Sequence, residues 1–225
     1  MSRKLLYAFA ACGFALLAGG QRGALAQTQA DERKFEVGAQ LTSIHLAPTN
    51  TTVTTTTVGT FNAEGFDVTI FGYGARFGYN VNRYVAVEAE FNHLPKKNFN
   101  EVFQSRREQF FAGVRVGRRW EKAGVFAKLR PGTMHFDEVP FHTVCGPASG
   151  SPAGCREKAE NTLALDAGAV VEYYPTPRTI LRFDAGDTVV HFKEAGPTAL
   201  FGSTVFTPRQ TTHNFQASVG FGVRF

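Results

Sequence analysis

The chain has 225 residues, a formal net charge of +5, 43% hydrophobic residues and three cysteines. Three of the positive charges, Arg3, Lys4 and Arg22, lie in the first 26 residues, which hold no acid, so the remainder carries +5 − 3 = +2 and gives no electrostatic reason to bind nucleic acid. No apolar run after residue 26 approaches the roughly 18 to 20 residues that a membrane-crossing helix needs, which removes the helical membrane proteins from consideration.

Residues 1–26 read as a secretory signal peptide: Arg3 and Lys4 form the charged start, 5–17 the apolar run, and Ala24-Leu25-Ala26 the small-x-small cleavage pattern. The run is too short to span a bilayer. Cys12 falls inside it, too early to be a lipoprotein processing site. One exported domain, 27–225, is then expected.

That domain alternates with period two, the signature of strands with one apolar and one polar or small face. Eight strands are predicted, at 34–46, 66–79, 84–93, 108–119, 124–136, 162–174, 179–192 and a terminal one ending at Phe225. In the third, for example, Val85, Val87, Ala89 and Phe91 oppose Glu88, Glu90 and Asn92. Short connections at 80–83, 120–122 and 175–178 alternate with long ones at 47–65, 94–107, 137–161 and 193–212. The Thr-rich run 49–60 holds few apolar residues and is read as an extension of the first long loop, although as a hairpin of its own it would make ten strands.

Short turns on one side and long loops on the other are the habit of outer-membrane barrels, whereas soluble sandwiches do not sort their loops so cleanly. The terminal strand sets Phe215, Ala217, Val219, Phe221, Val223 and Phe225 on one face, and its last four apolar residues, Val219, Phe221, Val223 and Phe225, look like an outer-membrane assembly signal read by the barrel-assembly machinery. A barrel in lipid has to close, because open sheet edges are not tolerated there. Glu88, Glu90, Arg115, Lys128, Arg130, Asp166, Glu172, Arg182, Asp184 and Arg224 all fall on the face opposite the apolar one. Five are acidic and five basic, as a paired network inside a side-chain-filled barrel would require. Tyr79, Tyr84, Trp120, Tyr173, Tyr174 and Phe225 gather near the short-turn ends as an interface girdle.

With Cys12 removed, Cys145 and Cys155 remain, flanking a Gly/Pro/Ser-rich loop. In an exported protein such a pair is most simply a disulfide, one that a loop-entropy account credits with roughly 2 to 3 kcal/mol. Neither a metal nor a cofactor is expected, since no zinc-ligand spacing or phosphate loop is present.

The stretches Gly72-Tyr-Gly-Ala-Arg-Phe-Gly-Tyr-Asn80, Tyr84-Val-Ala-Val-Glu-Ala-Glu-Phe91, Gly124-Val-Phe-Ala-Lys-Leu-Arg-Pro-Gly132 and Leu165-Asp-Ala-Gly-Ala-Val-Val-Glu-Tyr-Tyr-Pro175 resemble the OmpA/OmpX-like outer-membrane β-barrels. The resemblance covers essentially the whole domain. It implies an all-β, eight-stranded antiparallel up-and-down transmembrane barrel in the cell outer membrane, in contact with its lipid and lipopolysaccharide. It also implies a structural or surface-interaction protein, with no catalytic residues to carry over. Two alternatives stay open. A narrow pore for small solutes would use the inner-face glycines Gly113, Gly117, Gly168, Gly186, Gly220 and Gly222, and a lipid A-modifying enzyme would use Ser43 and His45. The latter two lie two apart on a strand, about 7 Å at Cα, which makes direct contact awkward.

Overall fold

A computed structural model describes residues 33–48, 50–55, 59–64, 68–95, 106–137, 143–145, 155–157, 159–200 and 203–225. The signal peptide expected at 1–26 lies outside the described residues.

Fourteen strands follow in chain order: β1 (Phe35–Leu46), β2 (Asn50–Thr55), β3 (Gly59–Glu64), β4 (Val68–Asn80), β5 (Val85–Leu94), β6 (Arg107–Arg119), β7 (Ala123–Phe136), β8 (Thr143–Cys145), β9 (Cys155–Glu157), β10 (Glu160–Thr176), β11 (Thr179–Phe192), β12 (Ala195–Leu200), β13 (Ser203–Thr207) and β14 (Gln210–Arg224). Eight of them close into an antiparallel barrel in the order β1-β14-β11-β10-β7-β6-β5-β4. These are the eight predicted from the alternation, with most ends moved by only one or two residues. The largest change is at β14, which begins at Gln210 within the expected long loop.

Burial along these strands is inverted relative to a soluble protein. Leu41, Phe71 and Leu163 are about two-thirds exposed, while Arg115, Arg130 and Arg182 are fully buried. The apolar face of every barrel strand therefore points outward, as lipid contact requires, and the polar face lines a filled lumen. The seam is closed by β1 against β14, in register from Glu36 opposite Arg224 to His45 opposite Phe215. Phe35 and Phe225 exchange both backbone hydrogen bonds at 3.0 Å, and their rings stack at 6.0 Å. Val219, Phe221, Val223 and Phe225 all stand exposed on the outer wall beside this seam.

The long connections carry strands that the sequence reading left as loop. β2 and β3 do form a hairpin from the Thr-rich run, yet they join no barrel strand. Instead they pair with the hairpin of the last long loop in a separate four-stranded sheet, β12-β13-β2-β3. The barrel thus remains eight-stranded. The pairing of β2 with β13 links segments about 150 residues apart in sequence, which no local pattern announces.

Candidate functional site

The lumen is built from the inward residues of all eight strands, and its character changes along the barrel. Near the short turns, Arg115 pairs with Glu36 and Glu172, which lie on β1 and β10. Arg119 joins Glu36 at 3.1 Å and donates through Nε to the Tyr174 hydroxyl at 2.9 Å, and that hydroxyl in turn donates to Glu172 at 2.6 Å. Asn80 donates to Glu36 at 2.8 Å. The Arg115 guanidinium lies 4.8 Å from the Phe126 ring centroid, a cation–π contact within the same layer.

Above this layer Glu88 accepts from Arg182 at 2.7 and 3.0 Å and from Arg130 at 3.1 Å, and lies 3.8 Å from Arg115. Arg182 also donates twice to Asp184 at 2.8 Å, while Arg130 holds Asp166 and Glu90, each at 2.5 Å. Lys128 bridges Asp166 at 3.0 Å and Asp184 at 3.6 Å. Every carboxylate here meets at least one fixed donor, the condition under which buried charge is tolerated. An amide chain follows: Gln40 donates to Asn92 at 2.8 Å, Asn92 to Gln109 at 3.2 Å, and Gln109 to Gln216 at 3.2 Å. The loop end is filled by an apolar cluster of Ile44, Ile70, Leu94, Phe111, Met134, Phe136, Ala164 and Val190.

Nine of the ten predicted interior charges are buried in this network, and Arg224 lies half-buried at its lower end, 4.4 Å above the Tyr174 ring. The sequence reading did not single out Arg76 or Arg119, although the same alternation places both inward. It placed Tyr174 in the lipid girdle. The structure corrects this, since Tyr174 is buried in the lumen and Tyr173 faces out, because adjacent strand residues cannot share a face. The apolar inner cap was also missed, because near the strand ends both faces are apolar and alternation carries no signal. Arg76 differs from the other interior bases. It is 5% exposed, and its Nη1 and Nη2 have no hydrogen-bond partner among the described residues.

At the inner-face glycines the space a Cβ would take is already approached by neighbouring groups. A Cβ on Gly113 would come within 2.2 Å of the Leu129 carbonyl oxygen, and one on Gly168 within 2.2 Å of that of Ala185. At Gly38, Gly220 and Gly222 the space is approached by the Arg76 guanidinium. Ser43 and His45 share the outer wall, and His45 Nδ1 is engaged by Thr69 Oγ1 at 3.0 Å.

In the third long connection β8 and β9 pair so that Cys145 lies directly opposite Cys155. Directly opposed residues in an antiparallel pair sit about 4.5 to 5.5 Å apart at Cα, inside the span a disulfide bridges. A bridge between them would make the protein resist alkylation until reduced and then take up a label at both cysteines. Labelling before reduction would remove the bridge.

Among solved structures, Neisserial surface protein A is 13% identical with a TM-score of 0.50, covering 85% of this chain and 97% of its own. The outer membrane protein OprG from Pseudomonas aeruginosa is 12% identical with a TM-score of 0.50, covering 86% and 97%. Ail, the attachment invasion locus protein of Yersinia pestis, is 14% identical with a TM-score of 0.39, covering 85% and 99%. No curated protein matches. At these identities the likeness is one of fold. With the inverted burial, the closed eight-stranded wall and a match over residues 12–225 to the outer membrane protein beta-barrel domain, the chain belongs to that family and resides in the cell outer membrane.

Proposed function

We propose that this barrel is a structural and surface-interaction protein, not a pore and not an enzyme, whose long loops and their sheet carry whatever binding it performs. The observation that carries this reading is the filled lumen: ion pairs among Arg115, Arg130, Arg182 and their carboxylates, an amide chain above them, and an apolar cap at the loop end. Conduction would require breaking charge-assisted hydrogen bonds that hold one another in place. Around the wall the partners are outer-membrane lipid and lipopolysaccharide, and the C-terminal strand with Val219, Phe221, Val223 and Phe225 is the segment offered to the barrel-assembly machinery. The four-stranded sheet extends the scaffold past the membrane, where loops held on rigid elements usually place recognition.

The purified barrel in planar bilayers is expected to give no steady conductance. Large, stable channels would sink the proposal, as would an ion selectivity that changes on reversing the charge of Arg130.

A further inference from the structure

All four strands that rise from the short turns to the loop end finish on the same pair, a histidine followed by a large apolar residue. The pairs are His45-Leu46 on β1, His93-Leu94 on β5, His135-Phe136 on β7 and His191-Phe192 on β11. Period two sends the members of each pair to opposite sides of the wall. Leu94 and Phe136 enter the lumen cap, with Leu46 and Phe192 packed against it, and the histidines stand on the outer wall.

Across each long connection the descending strand sets a hydrogen-bonding residue directly opposite the histidine. His45 Nδ1 meets Thr69 at 3.0 Å, His93 Nδ1 lies 3.5 Å from Glu108, His135 Nδ1 meets Asn161 at 2.7 Å, and His191 Nδ1 meets Thr211 at 2.9 Å. A fifth, His213 on β14, uses Nδ1 on Asp187 at 2.6 Å. One ring atom is thus used in all five, and where the partner is the Asn161 or Asp187 side-chain oxygen it donates. Just below on the same wall stand exposed Phe71, Tyr73, Phe91, Phe110, Leu163 and Phe215, the lipid-facing band. The imidazoles therefore girdle the barrel at the level of the outer-leaflet headgroups.

Among the described residues, charged groups flank the belt on several elements: exposed Lys193 and Glu194 follow β11, exposed Arg209 precedes β14, and Arg107 on β6 and Glu160 on β10 lie opposite Phe136. Glu108 and Arg106 come from β6, Asp137 follows β7 and faces His135 Nε2 at 3.3 Å, and Asp187 comes from β11. Arg106 bridges Glu108 at 3.8 Å and Asp137 at 2.9 Å, and the Tyr73 ring on β4 packs 5.3 Å from His93. Thr69, Asn161 and Thr211, on β4, β10 and β14, are neutral. Among the described residues Arg106, Arg107, Lys193 and Arg209 stand against Glu108, Asp137, Glu160, Asp187 and Glu194, a balance of 4 − 5 = −1 to which five protonated imidazoles add +5. Protonation of the imidazoles thus gives the belt the excess positive charge that anionic headgroups complement.

We propose that this belt is a proton-controlled docking surface for the phosphate-bearing headgroups of outer-leaflet lipid. The protonated belt retains phosphorylated lipid around the loop end of the barrel, and the neutral belt releases it. The inference rests on the placement of the loop end in the outer leaflet.

The test uses the full exported chain, refolded in phosphatidylcholine vesicles containing a minor fraction of diphosphoryl lipid A or its dephosphorylated counterpart. Folding is checked first by the heat-induced gel shift, so that a failure of the barrel reading is seen before lipid is measured. Lipid retained on mild detergent extraction is then counted by native mass spectrometry at about pH 5.5 and about pH 7.5. Diphosphoryl lipid A is expected to be retained about tenfold better at the lower pH, with no such step for the dephosphorylated lipid. The step should vanish when the five histidines are replaced (His45→Gln, His93→Gln, His135→Gln, His191→Gln, His213→Gln). If that variant does not fold, the pair His45→Gln and His191→Gln should reduce the step. A pH-independent retention by the native chain, an equal step in a folded glutamine variant, equal retention of both lipids, or full displacement by inorganic phosphate would each overturn the proposal.

Discussion

Glu88→Ala is expected to cost the folded barrel about 3 to 5 kcal/mol, the range found when one partner of a buried ion pair is removed. Glu88 is itself buried and stands among Arg182, Arg130 and Arg115, at 2.7, 3.1 and 3.8 Å. Without it three buried guanidinium groups face one another, and the remaining carboxylates are already engaged by Lys128, Arg119 and the same arginines. The measurement is the urea midpoint of reversible folding into lipid vesicles. Arg76→Met provides the contrast. The Arg76 guanidinium is buried, and among the described residues its Nη1 and Nη2 have no hydrogen-bond partner, so replacing it by an apolar chain of similar length is expected to leave the midpoint unchanged or raise it. A large loss on Arg76→Met together with a small one on Glu88→Ala would mean that the network does not distribute its charge as described.

Gly168→Val should be the most damaging substitution that alters no charge. Gly168 on β10 lies opposite Gly186 on β11. A Cβ there would stand 2.2 Å from the Ala185 carbonyl oxygen and 2.6 Å from the Gly186 Cα, so the obstruction is backbone on a neighbouring barrel strand, which cannot swing aside. Overpacking of this kind costs about 3 kcal/mol or more when the backbone has to shift, and at a strand pair it threatens closure itself. Loss of the heat-shifting folded band is the expected readout. Gly78→Ala is the control, since its Cβ would meet Glu36 at 3.5 Å, an ordinary contact, and its effect should stay within about 0.5 kcal/mol. Equal behaviour of the two variants would show that close strand approach is not what places glycine at Gly168.

The wall of this protein was legible residue by residue. Val85 to Phe91 against Ala86 to Asn92 reads as one lipid face and one lumen face, and β5 is built that way, with Val87 and Phe91 exposed and Glu88, Glu90 and Asn92 buried. The rule failed where both faces are alike. Ile44, Phe111 and Met134 form an inner apolar cap that alternation cannot distinguish from the lipid band, whereas Tyr173 and Tyr174, grouped together as girdle residues, are divided between the faces by the same alternation that β10 shows up to Glu172. Histidines far apart in the chain form a belt because four rising strands end at one level, which is a property of closure and not of any single segment.

Strand number, strand phase and the inward set of charges followed from period two and loop length, since both are local quantities that any stretch of ten residues displays. The pairing of those charges, such as Glu88 with Arg182 ninety-four residues away, came only with the closed barrel. So did the sheet joining β2 to β13 and the alignment of Cys145 with Cys155. Each of these depends on which strands become neighbours and in what register, and that is set by the energy of closing the whole sheet in lipid rather than by the composition of any one strand.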